Sequence, residues 1–77
     1  MARSVRPAAY ARALKDYDAY LREIGRRGYQ NDAYALFGRG IARRRLGDFA
    51  GSEVDLKAAR SQDKDVERAF AEMGLKP

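Results

Sequence analysis

The chain has 77 residues, with 16 Lys and Arg against 11 Asp and Glu for a net charge of +5, and neither histidine nor cysteine. A chain this short forms one domain, residues 1–77, and buries only about 60% of the surface that its unfolded form exposes. Without cysteine there is no disulfide framework or thiolate metal ligand, and without histidine the commonest general base is missing.

These absences set the first expectations: no enzyme, no cofactor and no metal. The segment Met1 to Pro7 carries charge with no apolar stretch behind it. Neither a signal peptide nor a membrane span is therefore expected, and the cytoplasm is the expected location. Charge is unevenly spread. Residues 1–45 hold 11 Lys and Arg against 4 Asp and Glu, a net of +7, whereas residues 46–77 hold 5 against 7, a net of −2. A basic half attracts nucleic acid, anionic lipid or acidic protein surfaces, and it also keeps a protein soluble.

The spacing predicts a first helix over residues 7–25. Pro7 suits its first turn, and Tyr10, Leu14, Tyr17, Leu21 and Ile24 recur at intervals of four and three. Ala13 and Tyr20 flank that stripe. Gly25 and Gly28, around Arg26 and Arg27, mark its end.

Asn31 or Asp32 is placed to cap a second helix, whose pattern runs through Leu36, Phe37, Gly40 and Ile41 to Leu46. Gly47 reads as a left-handed stop and Asp48 as the cap of a third helix, with Phe49, Ser52, Leu56 and Ala59 inward. Ser61 or Asp63 is expected to cap a closing helix over residues 63–74, with Val66, Ala69, Phe70 and Met73 as its apolar face and Gly74 as its end. No alternation of strand period occurs. The chain is read as all-α, four helices joined by short turns.

The run from Ala35 to Phe49, continued by Ser52, Asp55, Leu56 and Ala59, resembles a tetratricopeptide (TPR) repeat, a helix-turn-helix unit of ~34 residues that stacks into arrays. Leu36 falls at the large apolar site of such a repeat, Gly40 at the small site where two helices cross closely, and Phe49 at the turn aromatic. Ser52, Leu56 and Ala59 take the packing sites of the second helix, and Asp63 that of the terminal Asp. Arg43 stands where an aromatic is usual, and Lys64 replaces a proline. Ala13 to Leu21 resembles the second helix of a preceding repeat. The resemblance implies antiparallel helical hairpins forming a short right-handed solenoid fragment. On that reading the full repeat lies at about residues 33–62, between half a repeat and a closing helix.

Such repeats bind proteins, so the resemblance implies an interaction module or adaptor that takes a peptide or helix of another protein, acidic segments included. The concave groove of TPR proteins is lined by the first helix of each repeat. Carried onto this chain, that places Tyr34, Phe37, Ile41, Arg44 and Arg45 in the groove. The carboxylate clamp of chaperone-binding members needs Asn and Lys where Phe37, Gly38 and Ile41 stand, so that specialisation is not implied.

The first helix lacks a preceding partner, which leaves Tyr17 and Tyr20 for self-association as a homodimer. The densest basic cluster, Arg39 with Arg43, Arg44 and Arg45, has two readings. It is a clamp for phosphate or carboxylate, or it is a set of solvated cations at a helix C-terminus. The alternative function is a basic helical nucleic-acid-binding protein using Arg26, Arg27, Arg39, Arg43, Arg44 and Arg45 of helices 1 and 2, with weak non-specific nucleic acid as a further partner. A DNA-binding helix-turn-helix is disfavoured, because the third helix sets Glu53 and Asp55 against Lys57 and Arg60 where a basic face is needed.

Overall fold

A computed structural model describes residues 7–28 and 32–77 of the chain. The alternative cap Asn31 and Tyr29 lie outside the described residues. Four helices follow in order: α1 (Pro7–Arg26), α2 (Ala33–Arg45), α3 (Phe49–Gln62) and α4 (Val66–Glu72). The described residues are all-helical and contain no strand.

Local chemistry accounts for the breaks. Gly28 has φ +83°, a left-handed stop that closes α1, and Gly25 lies within the last turn of that helix. Asp32 caps α2, its Oδ1 accepting from the backbone N–H groups of Tyr34 (2.9 Å) and Ala35 (3.3 Å). Gly47 has φ +92°, a conformation open to glycine without a Cβ penalty, and it turns the chain directly into α3. There Asp48 accepts from Gly51 N–H at 2.9 Å.

The start of α4 differs from expectation. Ser61 belongs to the last turn of α3, and Asp63 accepts from the N–H of Asp65 at 2.9 Å instead of capping the helix itself. The three residues Asp63, Lys64 and Asp65 form that junction, so α4 spans 7 residues and not the whole of 63–74.

The second helix is the centre of the molecule and packs against the other three. Its buried residues are Ala35, Leu36, Phe37, Gly38, Gly40, Ile41 and Ala42. Ala35, Leu36, Phe37 and Ile41 of these join Leu21, Leu56, Ala59, Val66 and Phe70 in one core. Phe37 is 0% exposed, and its ring centroid lies 4.8 Å from that of Phe70.

Two glycines let neighbouring helices close on α2. A Cβ at Gly38 would collide with the Tyr17 ring of α1. One at Gly40 would sit 2.8 Å from Leu56 Cδ2 and 3.3 Å from the Ser52 carbonyl oxygen of α3. The small site at Gly40 thus faces Ser52 and Leu56 as the sequence implied.

Two residues assigned to the interior are outside it. Phe49 is 56% exposed, because it is the first residue of α3 and its ring lies over the turn, with the Arg44 guanidinium 5.2 Å from its centroid. Met73 is 63% exposed, because α4 has already ended at Glu72.

Candidate functional site

A concave face runs along α2 between α1 on one side and α4 with the C-terminal tail on the other. It consists of three adjoining depressions that share Tyr17 and Phe70. Asp16, Tyr20, Asp32, Tyr34 and Ala35 complete one end. Ala69, Met73 and Leu75 complete the outer side, together with Tyr34. Tyr10, Ala13, Gly38, Ile41, Ala42 and Leu75 line the third.

Helical spacing explains the α1 wall, since Tyr10, Ala13, Tyr17 and Tyr20 fall on one side at intervals of three and four. The opposite wall depends on the end of α4. There Gly74, at φ +81°, lets the Leu75 N–H return to the Phe70 carbonyl at 2.9 Å. That bond folds Leu75 back toward α1, and the Arg45 guanidinium donating to the Lys76 carbonyl at 2.7 Å ties the tail to the end of α2.

The five groove residues taken from the resemblance separate. Tyr34 is 52% exposed and meets Phe70 edge-on at 5.8 Å, so it lies in the groove. Phe37 is fully enclosed in the core, which corrects its assignment as a contact residue. Ile41 is buried too and reaches only the floor of the inner depression. Arg44 lies over Phe49 and Arg45 binds the tail, so neither lines a depression of this face.

Of the self-association pair, Tyr17 is half-buried against the core and Gly38, while Tyr20 is exposed. The Tyr20 hydroxyl donates to Asp32 Oδ2 at 3.0 Å. That hydrogen bond, with the neighbouring negative charge, holds the phenol above the ordinary tyrosine pKa. The groove residues that sequence reasoning missed as such are Phe70, Met73 and Leu75. Their signal is a short helix with Phe70 and Met73 on its apolar face, followed by glycine and Leu75, and periodicity alone does not place that face at a groove.

Two arginines of the densest basic cluster, Arg39 and Arg43, are organised around a buried carboxylate. Asp55 is 1% exposed. It accepts from Arg39 Nε at 2.8 Å and Nη2 at 2.9 Å, a bidentate pair, and from Arg43 Nη1 at 3.1 Å. Arg39 Nη1 also reaches Asp18 Oδ1 of α1 at 2.9 Å, so one guanidinium links three helices. Its bond to Asp55 raises the Arg39 pKa against the opposing effect of burial.

Arg43 thus adds a second ionic contact between α2 and α3. Asp55 was legible in the interval 52, 55, 56, 59, the i, i+3, i+4, i+7 pattern of a buried face. Arg39 and Arg43 are accordingly engaged by Asp55 and only partly solvated, which departs from both readings of an exposed cluster. Arg26 and Arg27, by contrast, make only exposed pairs with Glu23, at 3.6 and 3.0 Å.

Among the described residues, no helix is long and apolar enough to cross a membrane. No protein-family model matches the chain, and no curated protein or solved structure matches it.

Proposed function

We propose that this chain is a protein-binding helical module whose groove between α1 and α4 takes a peptide or helix of a partner. The observation that carries this reading is the convergence of Tyr17, Tyr20, Tyr34, Phe70, Met73 and Leu75 on one concave face. Tyr20, Tyr34, Met73 and Leu75 are exposed and supply contact area with little ordering cost over a floor that includes the buried Phe70, and such a groove suits helix-in-groove recognition. On the same reading α2 and α3 are one TPR-type repeat, with α1 as the second helix of a preceding half and α4 as the first helix of the next. Gly40 against Ser52 and Leu56, and the Gly47 turn, support that assignment. Binding, with no catalysis or cofactor, is the proposed role.

A peptide-display selection against the full chain tests it. Selected peptides are expected to lose at least about tenfold in affinity for Tyr34→Glu, the scale of a disrupted contact hot spot. Val54→Glu, on the exposed side of α3, should leave their affinity unchanged. The reverse pattern would move the binding face to α3. Self-association through Tyr17 and Tyr20 uses the α1 wall of the same groove. Sedimentation equilibrium of the wild type and Tyr20→Glu reads it, and a mass that stays monomeric in both would remove the homodimer.

Nucleic-acid binding has less support. Arg39 and Arg43 are committed to Asp55, and the remaining Arg26 and Arg27 lie at the opposite end of the α1–α2 hairpin from Arg44 and Arg45.

A further inference from the structure

We propose that the end of the groove formed by Asp16, Tyr17, Tyr20, Asp32, Tyr34 and Phe70 receives a cationic side chain, lysine or arginine, of the bound segment. The inference rests on the groove reading and names the chemistry of the partner at one position.

Three observations converge on it. First, the lining of this open depression is aromatic: three tyrosines and one phenylalanine border it. The negative π faces of such rings attract an ammonium or guanidinium group held within about 6 Å.

Second, its charged residues are of one sign. Asp16 and Asp32 line it, and among the described residues no lysine or arginine does, in a chain that carries 16 of them. A basic protein with an acidic, aromatic recess selects against the acidic partners that its overall charge would otherwise favour.

Third, the two carboxylates differ in what they already hold. Asp32 accepts from two backbone N–H groups at the start of α2 and from the Tyr20 hydroxyl. Its charge is therefore partly balanced by the helix terminus, and besides capping α2 it holds the Tyr20 hydroxyl. Asp16 is exposed and makes no ion pair or side-chain hydrogen bond among the described residues. Asp16 is thus the counter-charge for the incoming cation.

The neighbouring depression, with Ala69, Met73 and Leu75, is apolar. It sets the second element of the motif, an apolar residue beside the cation. The occupant is accordingly a basic-apolar peptide segment.

The test is a titration of the ¹⁵N-labelled full chain with a capped peptide, acetyl-Gly-Lys-Ala-Leu-Leu-Gly-amide, and with the same peptide carrying norleucine or glutamate for lysine. The lysine peptide is expected to shift the amides of Asp16, Tyr17, Tyr20, Tyr34 and Phe70. The norleucine and glutamate peptides should bind at least about fivefold more weakly. Asp16→Asn should narrow the gap between lysine and norleucine without moving the thermal midpoint. Tyr34→Leu, which keeps apolar area and removes a π face, should narrow it as well.

Equal affinity of the lysine and norleucine peptides, with shifts confined to Phe70, Met73 and Leu75, would overturn the cation site and leave the groove reading standing. An unchanged preference for lysine in Asp16→Asn and Tyr34→Leu would also overturn it. Absence of groove shifts with all three peptides would overturn both.

Discussion

The side chain that most determines packing between α2 and α3 is Asp55. Its burial against Arg39 and Arg43 makes it stabilising only as part of the set, because losing one partner leaves charges without compensation. Asp55→Ala is expected to cost about 2–4 kcal/mol, toward the low side for a buried pair because both guanidinium groups reach water. Asp18→Ala, which removes the more exposed contact to Arg39, should cost no more than ~1 kcal/mol. Urea unfolding of the two variants checks the order.

Ser52 presents the opposite case. Its hydroxyl is buried with no hydrogen-bond partner among the described residues, so Ser52→Ala should be neutral or stabilising. At Gly40, alanine gains ~1 kcal/mol of helix propensity but presses on Leu56 and the Ser52 carbonyl. A net loss of roughly 1 kcal/mol is expected, and a gain would show that the crossing is loose.

Tyr20 gives a pH signature. A phenol whose folded pKa is raised contributes its full stabilisation below the unfolded value near 10 and loses it as pH rises through the folded value. The alkaline fall in stability should be shallower in Tyr20→Phe.

At the scale of elements, the caps and stops were legible because each is a local decision. Asp32, Gly47, Asp48 and Gly74 act on backbone within a few residues of themselves; the last three stand where the sequence placed them, and Asp32 is one of the two caps it offered for α2. The faces of the helix ends were less legible. Phe49 and Met73 fit the apolar pattern but sit at termini, where the neighbouring helix no longer covers them. The groove went unread for a related reason: it is formed by α1 and α4, distant in sequence, and periodicity carries no information on which helices flank α2.

The short α4 depends on tertiary contact, since 7 residues are too few to be stable alone. Its ion pair, Arg60 to Glu67 at 2.9 Å, is about half exposed and contributes little. Val66 and Phe70, both buried, hold the helix in place. Phe70→Ala should therefore remove hydrogen-exchange protection from α4 while α2 and α3 retain theirs. Simultaneous loss in all three helices would show that the core does not divide in this way.

For the whole molecule, a single small core must support both the fold and an exposed aromatic face. Leu56, almost fully buried in that core, is its clearest probe. Leu56→Ala is expected to cost about 2–5 kcal/mol, comparable with the stability such a core supplies, and to leave the chain largely unfolded by circular dichroism. The sequence carried the helical class and the position of the α2–α3 crossing. It left undetermined which aromatics remain outside, because Tyr10, Tyr17, Tyr34 and Phe70 satisfy the same periodicity whether they fill the core or line its edge.

The central claim is that these edge aromatics form the binding face. It is tested most directly by intermolecular nuclear Overhauser effects between the chain and a peptide selected on it. Contacts from the peptide to the rings of Tyr34 and Phe70 and to the Met73 methyl, with none to Val54 or Phe49, are the predicted result. Contacts to Val54 and Phe49, with Tyr34 and Met73 silent, would contradict it.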